Sequence, residues 1–335
     1  MQHYFLAFWN LENLFDVEHS PLRSEKLQRA IGKDLKGWDE TKLSTKINQL
    51  SKIIKQMNQG LGPDILGVCE IENKNVLERL VNALASLSRN YKIIHADTKD
   101  QRGIDVAIIY DADKIEVEKG NIDVANPNTL ADLVFNHFVL RRTATRDILQ
   151  VNFLTKVSRN RLVIIVNHWP SRSGGEYESQ GYRFIAGETL AYFHERIMEK
   201  HGKDTAVVSI GDYNDEPHNL SITQYAMSER SKTKVVKGNN SYFYNLMWDI
   251  IGDGNGSFFF DNTPYMLDQI LVNENVIKKS SGFQIKEGSV KVEKISDMTA
   301  KGIYKKPIPF DGMSKDLNLN GFSDHFPVSV EIIEK

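Results

Sequence analysis

The chain is 335 residues long, with 42 basic and 44 acidic side chains and a formal net charge of -2. That balance excludes a uniformly basic coat for nucleic acid, so anion recognition has to be local, and the single cysteine, Cys69, excludes an intrachain disulfide. The length suits one large two-sheet or α/β unit with an ample core, and no repeat, heptad array or low-complexity linker divides it, so residues 1–335 are read as one domain.

Tyr4 to Trp9 reads as a short aromatic and apolar strand ending in the oxygen-bearing run Asn10-Leu11-Glu12-Asn13. From Pro21 to Lys46 the chain is polar, with seven basic and four acidic residues, and is expected to be a long excursion, either functional or merely solvated. Ser44 is placed to cap a helix through Asn58, with Ile47, Leu50, Ile54 and Met57 on one stripe. Asp64 to Glu70 is a second apolar strand ending in a carboxylate, with Glu72 two positions on. A helix over Asn75 to Leu87 follows, then strands at Tyr91 to His95 and at Gly103 to Tyr110, with Ile115 to Val124 alternating. Asp147 to Leu154 and Arg161 to Asn167 read as a hairpin around Ser158-Arg159-Asn160, ending at Asn167-His168-Trp169-Pro170.

A helix over Tyr182 to Lys200 leads into VVSIGDYND, Val207 to Asp215. This apolar run stops at a glycine and delivers two carboxylates and an amide; taken alone it fits an Asx turn as well as a site. In extended chain Asp212 and Asn214 point one way and Asp215 the other, so Asp215 is left out of the candidate set. Pro217 to Asn262 has no clear elements. Thr263 to Val272 contains a strand carrying Asp268, an acid that needs a partner if buried. Ile277 to Lys315, with nine lysines and four acids, precedes Ser323-Asp324-His325-Phe326-Pro327, and Val328 to Ile333 is the closing strand.

Polar residues at the ends of apolar strands are the recurring signal, and each is weak alone. In this order, the motifs FWNLEN, LGVCEIEN, GIDVAIIY, NHWPSR, GDYND, LDQILV and SDHFP span nearly the whole chain. Together they resemble the endonuclease/exonuclease/phosphatase superfamily, the deoxyribonuclease I-like fold. The resemblance implies an α+β fold, a four-layer α/β/β/α sandwich of two mixed β-sheets with the active site at one edge. The alternation of apolar strands and amphipathic helices agrees with it, whereas the lack of GxGxxG after the first strand disfavours a dinucleotide fold.

The resemblance assigns Asp212 to orienting and deprotonating a water, Asn214 to positioning water or phosphate, and His325 to the scissile phosphate with Asp268 fixing its tautomer. His168 matches a second histidine, a phosphate ligand or leaving-group acid. Oxygen donors from Asn10, Glu70 and Asp324 suit a hard cation, Mg²⁺ or Mn²⁺, and no Cys or His cluster argues for zinc. Arg102, Arg146 and Arg172 are candidate phosphate clamps or, alternatively, loop-anchoring salt bridges.

The expected activity is a metal-dependent phosphodiester hydrolase, an endonuclease or related phosphodiesterase acting on nucleic acid or another phosphoester. The alternatives are a phosphomonoesterase for a sugar or inositol phosphate, and a catalytically impaired binding protein of the same fold. No stable membrane association and no obligate protein partner is expected. A cytoplasmic protein is the simplest expectation, or a secreted or periplasmic one if a signal peptide has been removed.

Overall fold

The computed structural model describes residues 1–95, 104–121, 130–140, 146–311 and 316–335. Two large sheets are built mostly from strands buried on both faces, which explains their near-continuous apolar runs. In the first sheet, Gln2–Leu14 lies between Val328–Glu334, antiparallel to it, and Ile65–Ile71, parallel to it; Asp105–Asp111 and Tyr91–His95 continue the sheet. In the second, Arg161–His168 runs parallel to Ala206–Asp212 and antiparallel to Ile148–Thr155, and Asp268–Asn273 pairs antiparallel with Ala206–Asp212. Both sheets are therefore mixed, and the expected hairpin around residues 158–160 is formed.

Side chains of alternating direction divide the core into three layers. Tyr4, Leu6 and Phe8 face the second sheet and meet Ile164, Val166, Val208 and Ile210 between the sheets. Phe5, Ala7 and Trp9 face outward, under the helices Glu40–Gln56 and Lys74–Ala83. On the far side Val163, Ile165 and Val207 pack beneath the long helix Glu176–His201. The result is the four-layer α/β/β/α sandwich, a deoxyribonuclease I-like fold.

The expected excursion at 21–46 is more ordered than its composition suggests. It contains a helix, Glu25–Ile31, and the start of Glu40–Gln56, which is capped by Asp39 accepting from the Lys42 amide rather than by Ser44. Its anchor is Arg23, whose Nη2 donates to Glu72 at 2.6 Å and to the Asp16 carbonyl at 2.8 Å, all buried. The long helix begins six residues before the expected Tyr182, directly after Gly175, whose φ of 103° suits glycine. At Gly211 a Cβ would lie 2.4 Å from the Asn167 carbonyl oxygen, so glycine lets neighbouring strands close tightly just before Asp212.

His194, on the long helix, is enclosed and stacks on Phe243 with ring centroids 4.0 Å apart. Burial pushes its imidazole down to about 3, below the usual 6.5. Between these two values the unfolded chain takes up a proton that the folded chain refuses, so stability is present above about pH 6.5 and is lost as pH falls, by up to about 1.4 kcal/mol per pH unit. Urea unfolding of the wild type and His194→Phe at pH 7 and pH 4.5 checks this: the midpoint should fall less on acidification in the variant, and equal falls would remove His194 as the cause.

Candidate active site

Register across the second sheet sets three ionisable residues side by side. His168 is opposite Asp212 in the parallel pair, and Asp212 is opposite Asp268 in the antiparallel pair. Directly paired residues share a face, so the last residues of two strands and the first of a third present one row. His325 completes it, with Nδ1 2.6 Å from Asp268 Oδ2. The loop carrying His325 is tied to the first strand: Trp9 Nε1 donates to the His325 carbonyl at 2.8 Å, and Ser323 Oγ donates to the Asn10 carbonyl at 2.7 Å.

The first sheet supplies the opposite wall through two irregularities. Pairing shifts between Asn10 and Leu14 and between Cys69 and Ile71. Cys69 faces the inter-sheet core, and Ile71 faces the helices, as does Val68. Glu70 is therefore the extra residue of a bulge, with a left-handed φ of 62° uncommon for a side chain of its size. The bulge aims its carboxylate at the cavity, where Oε2 accepts from the Asn13 amide at 2.9 Å and Oε1 lies 3.6 Å from His168 Nε2. Asn10 bridges the two walls, its Nδ2 donating to Asp212 Oδ2 at 3.1 Å while its Oδ1 accepts from the Glu12 amide at 3.0 Å.

These groups line one cavity of about 510 Å³, together with Arg146, Arg172, Asn214 and Asp324. Asp212 is buried, and its carboxyl is pushed up to about 7 by burial first and then by the charge of Asp268, against the opposing pull of His325 and of the Asn214 amide. His325 moves the other way: burial works against its imidazolium, yet the charges of Asp268 and Asp324 and the hydrogen bond to Asp268 hold it well above the ordinary imidazole range. Asp212 thus holds a proton more readily than an ordinary carboxyl, and His325 holds its positive charge more firmly than an ordinary imidazole.

Among the described residues, Asp212, Asp268 and His325 place ligand atoms within 4.8 Å of one another. His325 and Asp268 already share a short hydrogen bond, so that trio reads as a charge-relay row. The donors expected for a hard cation, Asn10, Glu70 and Asp324, line the cavity beside it. These oxygen donors, set beside crowded carboxylates, fit a hard divalent cation.

A model of the endonuclease/exonuclease/phosphatase family matches residues 5–335. The chain belongs to the endonuclease/exonuclease/phosphatase family. No curated protein matches it. Among solved structures, it is similar to a mannosyl-6-phosphatase of Bacteroides thetaiotaomicron, 18% identical with a TM-score of 0.55 over 98% of this chain and 99% of that one. It is also similar to D. rerio TDP2 complexed with a single-strand DNA product, 10% identical with a TM-score of 0.57 over 99% of this chain and 100% of that one. The human nocturnin catalytic domain with bound sulfate is 13% identical, with a TM-score of 0.50 over 99% and 95% of the two chains. At these identities the likenesses speak for the fold.

For this member of the endonuclease/exonuclease/phosphatase family, the structure brings Asn10, Glu70, Arg146, His168, Arg172, Asp212, Asn214, Asp324 and His325 to one cavity, with Asp268 behind His325. Arg102 lies outside the described residues. One premise of the sequence reading differs from what is observed. Asn214 has a left-handed φ of 51°, so the chain is not extended past Asp212; the Asn214 side chain still reaches the site, where Nδ2 donates to the Trp169 carbonyl at 3.0 Å. Adjacent residues in an extended chain point apart, yet Asp324 and His325 both line the cavity, with Asp324 Oδ1 3.9 Å from His325 Nε2.

Sequence reasoning missed the cavity's apolar wall. Phe258, Phe260 and Tyr265 come from the hairpin of Phe258–Phe260 and Thr263–Tyr265, whose first strand lies in the stretch with no clear elements, and Leu267 follows the hairpin; the Phe-Phe-Phe run was the available signal. Phe258 also stacks at 4.9 Å on His325. The electrostatic account of His325 is testable by NMR titration of the metal-free protein. Its imidazole should titrate well above the ordinary range, and Asp268→Asn should lower it. An unchanged titration in that variant would remove Asp268 as the partner that keeps His325 charged.

Proposed function

We propose that this protein is a divalent-metal-dependent phosphodiester hydrolase, with residues 1–335 acting as one catalytic domain. The reading rests on the row His168, Asp212, Asp268 and His325, which places a buried carboxyl at about 7 between two histidines. Asp212 orients a water and takes its proton as the water oxygen attacks phosphorus; a carboxylate near 7 is well matched to that task at neutral pH. The hydrogen bonds it accepts from Asn10 and the Asn214 amide fix which lobe of the carboxylate meets the water. Asn214 closes that side of the cavity.

With Nδ1 committed to Asp268, His325 offers Nε2–H to a non-bridging phosphate oxygen, where charge grows in the transition state. His168, whose Nε2 is 3.8 Å from Asp212 Oδ2, serves as a second phosphate ligand or donates a proton to the leaving oxygen. Arg146 and Arg172 clamp the phosphate from the cavity wall. Asn10, Glu70 and Asp324 would hold a Mg²⁺ or Mn²⁺ ion, which would supply further positive charge at the phosphate oxygens.

A diester is favoured over a sugar or inositol monoester because one side of the cavity is aromatic and apolar. Phe258, Phe260 and Tyr265 offer planar surface to a base or other flat group next to the phosphate, whereas a polyol would need hydrogen-bond partners there.

Supercoiled plasmid, RNA, bis(p-nitrophenyl) phosphate and a panel of phosphomonoesters, each with Mg²⁺, Mn²⁺ or chelator, test the reading. Diester cleavage that chelator abolishes is expected; release of phosphate from monoesters alone would favour the phosphomonoesterase, and no cleavage of any substrate would leave a binding protein of this fold. Asp212→Asn and His325→Ala should each lower kcat by about 10²- to 10⁴-fold with unchanged thermal unfolding. Near-normal rates in either variant would overturn its assigned role.

A further inference from the structure

Asp215 sits three residues past Asp212 but on the opposite side of the chain, buried and away from the cavity. Its two oxygens hold two arginines. Oδ1 accepts from Arg172 Nη2 at 2.9 Å, while Oδ2 pairs with Arg183 Nε at 2.8 Å and accepts from Ser221 Oγ at 2.6 Å. Arg183 is fully buried on the long helix and donates to Ser179 Oγ at 2.7 Å and to the Glu176 carbonyl at 2.9 Å. One carboxylate therefore faces two guanidinium groups.

Of the two, Arg172 is the more exposed, and it lines the cavity. Its geometry is set on the side away from the cavity: Nε donates to the Asn214 carbonyl at 2.8 Å, and Nη2 donates to Asp215 and, at 3.2 Å, to Asn219 Oδ1. The Tyr265 ring lies 5.8 Å from the guanidinium carbon. Among the described residues, the remaining nitrogen, Nη1, has as its partner only the half-exposed Glu176 carboxylate at the cavity rim, 3.3 Å away. A carboxylate at that place shows that the position accepts an anionic oxygen, and an exposed pair of this kind is weak enough to exchange.

We propose that Asp215 is a positioning residue that fixes Arg172 so that Nη1 receives a non-bridging oxygen of the substrate's phosphate, displacing Glu176. The proposal rests on the phosphodiester reading above. A guanidinium held at Nε and Nη2 loses little freedom on binding, so its contact is made in the bound substrate as well as in the transition state. Asp212 and Asp215 thus divide the work of one short motif: the first faces the water, and the second orients the cation that meets the phosphate.

The test is a double-mutant cycle on bis(p-nitrophenyl) phosphate with Mn²⁺, using Asp215→Asn, Arg172→Ala and the double variant. Asp215→Asn should raise KM about tenfold, equivalent to about 1.4 kcal/mol, with kcat within about threefold of wild type. On the Arg172→Ala background the same substitution should change KM less than about twofold, a loss of effect that a purely structural role would not produce. If Asp215→Asn does not melt cooperatively, Ser221→Ala, which removes one support of Asp215, takes its place, with a smaller KM rise that likewise disappears on the Arg172→Ala background. A KM effect that persists without Arg172, or one that falls on kcat alone, overturns the proposal while leaving the hydrolase reading intact. Failure of wild type to cleave the diester sinks both.

Discussion

Four carboxylates, Glu70, Asp212, Asp268 and Asp324, are forced together at one edge of a rigid two-sheet core, and the rest of the site answers that crowding. Like charges at such a place cannot separate, because each is carried by a strand end or a pinned loop whose neighbours are close-packed. The structure offsets them with directed donors: backbone amides for Glu70 and Asp212, the Asn10 carboxamide for Asp212, and the charged His325 for Asp268. The Asp212 carboxyl is still pushed up to about 7, by its burial first and by the charge of Asp268 second. A cation or an incoming proton is the remaining way to relieve that strain, and it is the same imbalance that suits the site to a metal and to base catalysis.

Holding the groups in place requires specificity more than added stability. Buried ion pairs around the site act as pins. Arg23 and Glu72 tie the segment from Asp16 onward to the second strand of the first sheet. Lys46 is enclosed and donates to the Glu12 carbonyl at 2.6 Å, and Glu12 in turn accepts from the amides of Phe310 and Asp311. Desolvation of such pairs costs roughly what their attraction returns, so their effect is to select one loop arrangement over others. Asp215 with its two arginines belongs to the same class of device, with one arm reaching the cavity.

The division of labour between the two sheets follows from their regularity. The second sheet keeps strict register to its end, so His168, Asp212 and Asp268 fall in one row. The first sheet breaks register twice, and the breaks turn Asn10 and Glu70 toward that row. A regular strand would have put Glu70 under the helices. The aromatic hairpin then covers the open side, giving the cavity one charged and one apolar wall.

Much of this was legible in the chain. Apolar runs of strand length, each ending in an acid, amide or histidine, mark most of the strands and, of the cavity's polar members, Asn10, Glu70, His168 and Asp212, because period-two patterning and abrupt termination are local properties. The opposite orientation of Asp215 was expected from an extended chain, but the strand ends at Asp212 and a left-handed Asn214 follows it. The partners of Asp215 were not legible, since Arg172 and Arg183 are 43 and 32 residues away and meet it only after two layers have packed. Nor could patterning tell Glu70 from Glu72. Both follow the same apolar run, yet a bulge gives one to the cavity and a distant arginine takes the other into the interior. The aromatic wall stayed hidden because a short hairpin in a glycine-rich stretch carries little periodicity. The sequence by itself determined which residues stand at strand ends; the tertiary structure decided which of them meet, because register shifts and long-range charge pairing depend on neighbours that are not adjacent in the chain.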